Sequence, residues 1–461
     1  MTDDVIKTTL CFFCFQEVQI LETTLGKVET ECPICHLAFP ADEVEFHASF
    51  CGESLINRPA CSPKPSQDLV NSSHPVKSEE DFLQWLSCQV DTSREFHLCI
   101  SRANMFQRGL KLWQRQKNAT PDSQLKITFL GEAGVDSGAL RKEFLTEMMA
   151  GIEQYLFEGE EGKGKAPKYS LNDLDNGHFR AAGQIFAVSL AQGGPAPKFL
   201  QEWCFTFIVT GELNVSKDNI YDPEFSQIVT EVEEASDLAD LTESIVNCGY
   251  TGQVTSQHKE SIIRAILLHA TMRKTPMLRD ICEGLKLYNL LEVLQRNPSA
   301  CKGLFLPEKE AMPDSDFLML CLKPEMSPKG SVKEIREMQI LNFFQDFLQE
   351  LEDESPENLQ TKNLNASGLL EQKPLSVPHI MQWLTGQAHK PLLLSEREEF
   401  KITVYFDHSC LERMPGHRVC YPVVSACTKT ITFPTEHLRS YDAFKDLLNE
   451  AFLCGGEFSR L

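Results

Sequence analysis

Cys427 stands just ahead of a segment in which Thr428, Thr430 and Thr432 interleave with Lys429, Ile431 and Phe433, closed by Pro434. This period-two, β-branched pattern predicts a strand, so the thiol lies at a strand entrance, where it can remain accessible. A neighbouring cation such as Lys429 favours the thiolate, the form that attacks a carbonyl carbon. The local pattern alone equally suits a small buried cysteine. Cys410 and Cys420 lie nearby and suit structural roles, while His417 and His437 are the histidines a cysteine hydrolase would need, though no paired motif links them to Cys427.

A second chemistry is written near the other end. Cys32-Pro-Ile-Cys35, eleven residues, then His47-Ala-Ser-Phe-Cys51 offers four ligands at spacings that suit tetrahedral zinc. Asp42 can cap a helix running to Cys51, with Gly52 ending it, which sets His47 and Cys51 one turn apart on one face. So short a helix does not persist alone in water, and the metal would supply much of the folding energy of the unit. Cys11-Phe-Phe-Cys14 supplies an alternative set, Cys11, Cys14, Cys32 and Cys35, with zinc-ribbon spacing. Both sets cannot use Cys32 and Cys35. The set with His47 and Cys51 is preferred because the ribbon leaves a well-spaced histidine and cysteine unexplained.

The elements that must carry these residues are legible in outline. The chain has 461 residues, 42% of them hydrophobic, which predicts several domains with substantial cores. A net charge of −22 argues against a nucleic-acid partner, because binding a phosphate backbone needs clustered Lys and Arg. The opening Met-Thr-Asp-Asp-Val-Ile has no signal-peptide character and no stretch approaches roughly 18 apolar residues, so neither secretion nor a membrane partner is expected. Scattered along such a chain, 17 cysteines read as reduced thiols and metal ligands of the cytoplasm or nucleus.

From Gly52 to Glu80 the chain is polar, with Pro59, Pro63, Pro65 and Pro75 among serines, a linker. Amphipathic helices follow: Phe82, Trp85 and Leu86 share a face, as do Ala103, Phe106, Leu110 and Trp113. Leu125, Ile127 and Phe129 alternate as a strand that feeds Gly131-Glu-Ala-Gly134-Val-Asp136-Ser-Gly138. This glycine-rich turn lacks the Gly-Lys-Ser/Thr ending of a phosphate loop, and Glu132 and Asp136 would repel phosphate. Small residues from Phe179 to Gly193 predict close helix packing, and further helices are expected over 237–247, 257–270, 276–297, 331–350 and 441–452. An acidic, Asn-rich stretch over 352–368 reads as a hinge.

Several of these stretches together resemble the HECT ubiquitin ligases. Pro422, Cys427, Ile431, Phe433 and Pro434 fall in register with that family's active-site loop, and Phe458 occupies its phenylalanine fourth from the carboxyl end. Gly131 to Phe144 is similar to a structural signature of the HECT N-lobe, and Ile380-Met-Gln-Trp-Leu-Thr-Gly386 to the start of its C-lobe. Ala426 replaces a threonine and Thr428-Lys429 replaces Phe-Asn of the family pattern. The resemblance implies an α+β, bilobal HECT domain, with a large mainly helical N-lobe and a smaller α/β C-lobe, preceded by a small zinc finger. The divisions expected are a finger region over 1–52, a linker and leading helix over 53–94, the N-lobe over 95–365 and the C-lobe over 366–461.

It further implies that Cys427 accepts ubiquitin as a thioester from a ubiquitin-conjugating enzyme and passes it to lysine on a protein substrate, with Phe458 orienting the transfer. The partners implied are ubiquitin, the conjugating enzyme and that substrate. The finger over 30–52 resembles UBZ-type ubiquitin-binding fingers of DNA-damage proteins, which implies zinc as cofactor and recruitment of ubiquitin or a partner. The alternative is a HECT-like ubiquitin-binding adaptor whose transfer activity is impaired.

Overall fold

The computed structural model describes residues 29–31, 38–40, 76–115, 120–132, 138–160, 162–213, 216–217, 222–308, 312–353 and 375–454. The chain divides into two units, Met1–Leu69 and Val70–Leu461. In the first, β1 (Glu29–Glu31) pairs antiparallel with β2 (Ala38–Pro40), with Thr30 opposite Phe39. Cys32 and Cys35 fall in sequence between these two strands. They, together with Cys11, Cys14, His47 and Cys51, lie outside the described residues.

The second unit mixes helix and strand, as the α+β expectation requires, around three hydrophobic cores. The first core rests on a parallel pair, β3 (Asp91–Ile100) and β4 (Ser123–Phe129). Alternation buries Phe96, Leu98 and Ile100 beside Leu125, Ile127 and Phe129 on one face. Helices Met105–Arg115 and Ala139–Leu156 cover that face, and helix His178–Ala191 packs against both of them. A small antiparallel hairpin, β5 (Phe157–Glu160) and β6 (Gly164–Pro167), follows. The expected small-residue helix packs as its composition requires. Gly183 lies against the Ile281 backbone carbonyl and Gly284 of helix Thr275–Leu285 lies against that of Arg180, so a Cβ on either would overlap the opposing main chain.

Glu132, at the start of the glycine-rich stretch, and Glu143, in helix Ala139–Leu156, both receive hydrogen bonds from Arg102, whose guanidinium also stacks 4.0 Å from the centroid of Phe129. The helix expected over 276–297 is broken after Leu285: Tyr288 and Asn289 take φ of +60° and +56° before helix Leu290–Arg296 resumes. The reason is tertiary, because the Tyr288 hydroxyl donates to the Pro121 carbonyl at 2.8 Å and meets Gln192.

The third core, smaller, joins helices Pro223–Glu234 and Lys259–Met272 through Phe225, Val229, Val232, Ile262 and Ile266. The second core backs a four-stranded sheet in the order β7 (Leu322–Pro324), β8 (Ile402–Asp407), β10 (Thr430–Pro434), β9 (Val423–Ser425). β7 and β10 run parallel to β8, and β9 returns antiparallel to β10. Ile402, Val404, Ile431 and Phe433 face inward onto Phe344 and Phe347, Ile380 and Leu384, and Phe444 and Leu448 of three helices, Val332–Asp353, Val377–Thr385 and Tyr441–Cys454. Leu318 and Cys321 of helix Ser315–Cys321 pack in this second core as well. Helix Val332–Asp353 buries Ile340, Phe344 and Phe347 against the sheet.

Candidate active site

Pairing in β9 and β10 sets Thr430 opposite Ser425 and Ile431 opposite Val424, leaving residues 426–429 to close the hairpin. Ala426 is buried and its carbonyl accepts from the Lys429 N–H at 3.3 Å, while the Thr428 hydroxyl donates to the Ser425 carbonyl at 3.4 Å. Cys427 is left exposed at the turn. The expected strand thus begins at Thr430, after Lys429 has taken a φ of +52° to complete the reversal. Lys429 holds its ammonium 4.7 Å from the centroid of Phe400, where burial lowers its pKa and the Glu396 carboxylate opposes that shift. Its charge is engaged with Phe400 and Glu396.

The thiol has firm support. β10 is central in the sheet, bonded to β8 on one side and β9 on the other, and Phe433 packs on Phe344 and Phe444 with centroids 5.8 Å and 5.7 Å apart. β9 is an edge strand, with Val423 68% exposed and Tyr421 and Val419 exposed ahead of it. Phe458, the other residue expected to take part in transfer, lies outside the described residues.

Next to this hairpin the fold gathers four residues that sequence reasoning left as structural cysteines and stray histidines. Cys410 is buried at the start of helix Cys410–Arg413; His417 and Cys420 lie on the loop that leads to β9; His437 ends the short 3-10 turn Thr435–His437 after β10. One ligand atom from each lies within 4.8 Å of all the others. His417 Nε2 is 2.7 Å from Cys420 Sγ and 2.9 Å from His437 Nε2. Burial and the adjacent Cys410 raise the Cys420 thiol pKa, and burial followed by His417 lowers that of His437. Two thiols and two imidazoles in this arrangement could hold a metal ion. The sequence signal was the pair His417-x-x-Cys420, but its partners are separated from it by six intervening residues on one side and sixteen on the other, outside any regular finger spacing.

The first and second cores meet where Gly386 and Gln387 approach Ala139 and Lys142. Gln387 Oε1 accepts from Lys142 Nζ at 2.7 Å, and Gln382 donates to Glu147 at 2.8 Å. Burial pushes Lys142 down to about 8 and His389 down to about 3, the latter helped by the neighbouring Lys142 charge.

No family model matches the chain. Over 279 residues it is 27% identical to proteins named G2/M phase-specific E3 ubiquitin-protein ligase from Macaca fascicularis and Homo sapiens, a match covering 56% of this chain and 37% of each relative. A Gallus gallus protein of the same name is 26% identical over 295 residues, 60% of this chain and 38% of its own length. The chain thus spans well under half the length of the curated relatives it matches, and its similarity is to proteins named as E3 ubiquitin-protein ligases.

Proposed function

We propose that this chain is a HECT-type ubiquitin ligase in which Cys427 is the acceptor thiol. The observation that carries the reading is an exposed cysteine at the turn between an edge strand and a buried central strand, in a chain similar to named E3 ubiquitin-protein ligases. The Cys427 thiolate attacks the carbonyl carbon of the ubiquitin thioester on a conjugating enzyme, whose cysteine leaves as thiolate. A lysine amine of the substrate then attacks the new thioester, an amide forms, and the Cys427 sulfur leaves. Each step exchanges one acyl bond for another, so no external energy source is needed. β9 is an edge strand among the described residues and, with Val423 exposed, offers backbone groups to an extended peptide such as a ubiquitin tail. The separate core built by residues 225–272 exposes Val246, Leu268 and Met272 and suits docking of the conjugating enzyme.

In this reading the region over 30–52 is a zinc finger using Cys32, Cys35, His47 and Cys51, which recruits ubiquitin or a partner. The antiparallel pairing of β1 with β2, between which Cys32 and Cys35 fall in sequence, suits a finger of that kind. The cytoplasm or nucleus is the compartment that suits reduced thiols. The test is to incubate the chain with activating enzyme, a panel of conjugating enzymes and ubiquitin, then separate the products without reductant. A thiol-sensitive adduct that disappears in Cys427→Ala and persists in Cys99→Ala is expected. A wild-type chain that never loads, yet binds ubiquitin, would make it an adaptor.

A further inference from the structure

We propose that Cys410, His417, Cys420 and His437 bind one structural zinc ion, which fastens together the two ends of the hairpin that carries Cys427. The convergence follows from strand register. β8 and β10 run parallel with Asp407 opposite Pro434, so Cys410 and His437, each three residues beyond that pair, emerge side by side at one end of the sheet. His417 and Cys420 are returned to the same place by a loop that turns at Gly416, whose φ is +83°.

The donor set specifies the metal class. Two thiolates and two imidazoles form a closed tetrahedral N/S site, the preference of zinc. Bond lengths of about 2.3 Å to sulfur and 2.0 Å to nitrogen give a tetrahedron with edges of roughly 3.3–3.8 Å. The observed donor separations, from 2.7 Å to within 4.8 Å, bracket those edges. His417 Nδ1 lies 2.5 Å from the Met414 carbonyl, so it carries the proton and donates it there. The Nε2 lone pair of His417 is then directed at Cys420 and His437, the tautomer a metal ligand requires. A single lone pair approached by both a sulfur and a second imidazole is better satisfied by a cation among them than by one proton.

The surrounding chain needs such a fastening. Of residues 411–421 none is buried, and Leu411, Met414, Val419 and Tyr421 are exposed, so the hydrophobic core does not hold this segment. The Ser409 N–H and hydroxyl bond to Asp407 at 2.9 Å and 3.0 Å, and Arg413 pairs with the same carboxylate, which fixes only the first turn. Cys420 lies three residues before β9 and His437 three residues after β10. A metal joining them closes the hairpin on itself and limits where the Cys427 turn can move. That this turn carries a working thiol rests on the ligase reading; the metal site does not.

The experiment measures metal content in the full chain purified without chelator, by mass spectrometry of the elements, with cobalt exchanged for zinc in a parallel sample. Cys420→Ser and His437→Ala should each hold one zinc ion fewer per chain than the parent, whatever the parent count, and Cys427→Ala should hold the same number. His437→Cys supplies a ligand again, so it should keep the parent count, with a stronger sulfur-to-cobalt charge-transfer band. A folded His437→Ala chain with the parent count overturns the proposal, as does a folded His437→Cys chain that lacks the ion, or a Cys410–Cys420 disulfide in place of metal. Loss of ubiquitin loading with the metal count intact would strike the ligase reading alone.

Discussion

Gly386 ends helix Val377–Thr385 with a φ of +80° and rests on the backbone of Ala139, where a Cβ would stand 2.6 Å from the carbonyl oxygen. The turn after this helix behind the sheet is thus seated on the first residue of helix Ala139–Leu156 in the neighbouring core. A side chain at Gly386 must both adopt a left-handed conformation and displace main chain. Gly386→Ala is therefore expected to cost about 1–3 kcal/mol of stability. Thermal melting would show it, and a melting temperature equal to that of the parent would mean that the two cores separate freely at this turn.

The same contact gives a pH dependence. Burial lowers the His389 pKa in the folded chain to about 3, below the ordinary value of 6.5, with Lys142 acting in the same sense and a backbone hydrogen bond to Gly193 opposing it. The unfolded chain therefore binds more protons between those values, and stability rises with pH across that window. Acidification to pH 5.5 should remove about 1 kcal/mol through this residue alone. Comparing urea melts of the parent and His389→Gln at pH 7.5 and 5.5 checks the claim. Equal losses in both chains would show that His389 is not the group responsible.

Phe458 is expected to act on transfer more than on folding. A residue that orients the acyl donor lowers the rate of lysine attack when it is lost, while formation of the thioester is spared. Phe458→Ala should leave the Cys427 adduct and the melting temperature near those of the parent, and slow discharge of the adduct to lysine. A parallel fall in loading and in melting temperature would mark it as a packing residue.

The amino-terminal finger makes a separate prediction. A fragment of residues 1–55 should bind one zinc ion, and His47→Ala should release it and unfold the fragment. Release by Cys11→Ser with retention in His47→Ala would establish the ribbon pairing of Cys11, Cys14, Cys32 and Cys35 instead.

Local periodicity carried much of the fold. Burial of Ile431 and Phe433 between half-buried Thr430 and Thr432, the helix Tyr441–Cys454 with Phe444 and Leu448 inward, and the glycine contacts of helix His178–Ala191 all follow from residue types at spacings of two, three or four. The placement of Cys427 at a strand entrance came from the same reasoning. What the sequence left undecided depends on residues far apart in the chain. The core to which helix Val332–Asp353 belongs is set by partners near residues 380, 433 and 444, and the break at Tyr288 by an acceptor at Pro121. Cys410, His417, Cys420 and His437 show the difference most plainly, for no local pattern requires them to meet. They meet because parallel pairing of β8 with β10 fixes Asp407 opposite Pro434, and register between strands is decided by the packing of a whole sheet face.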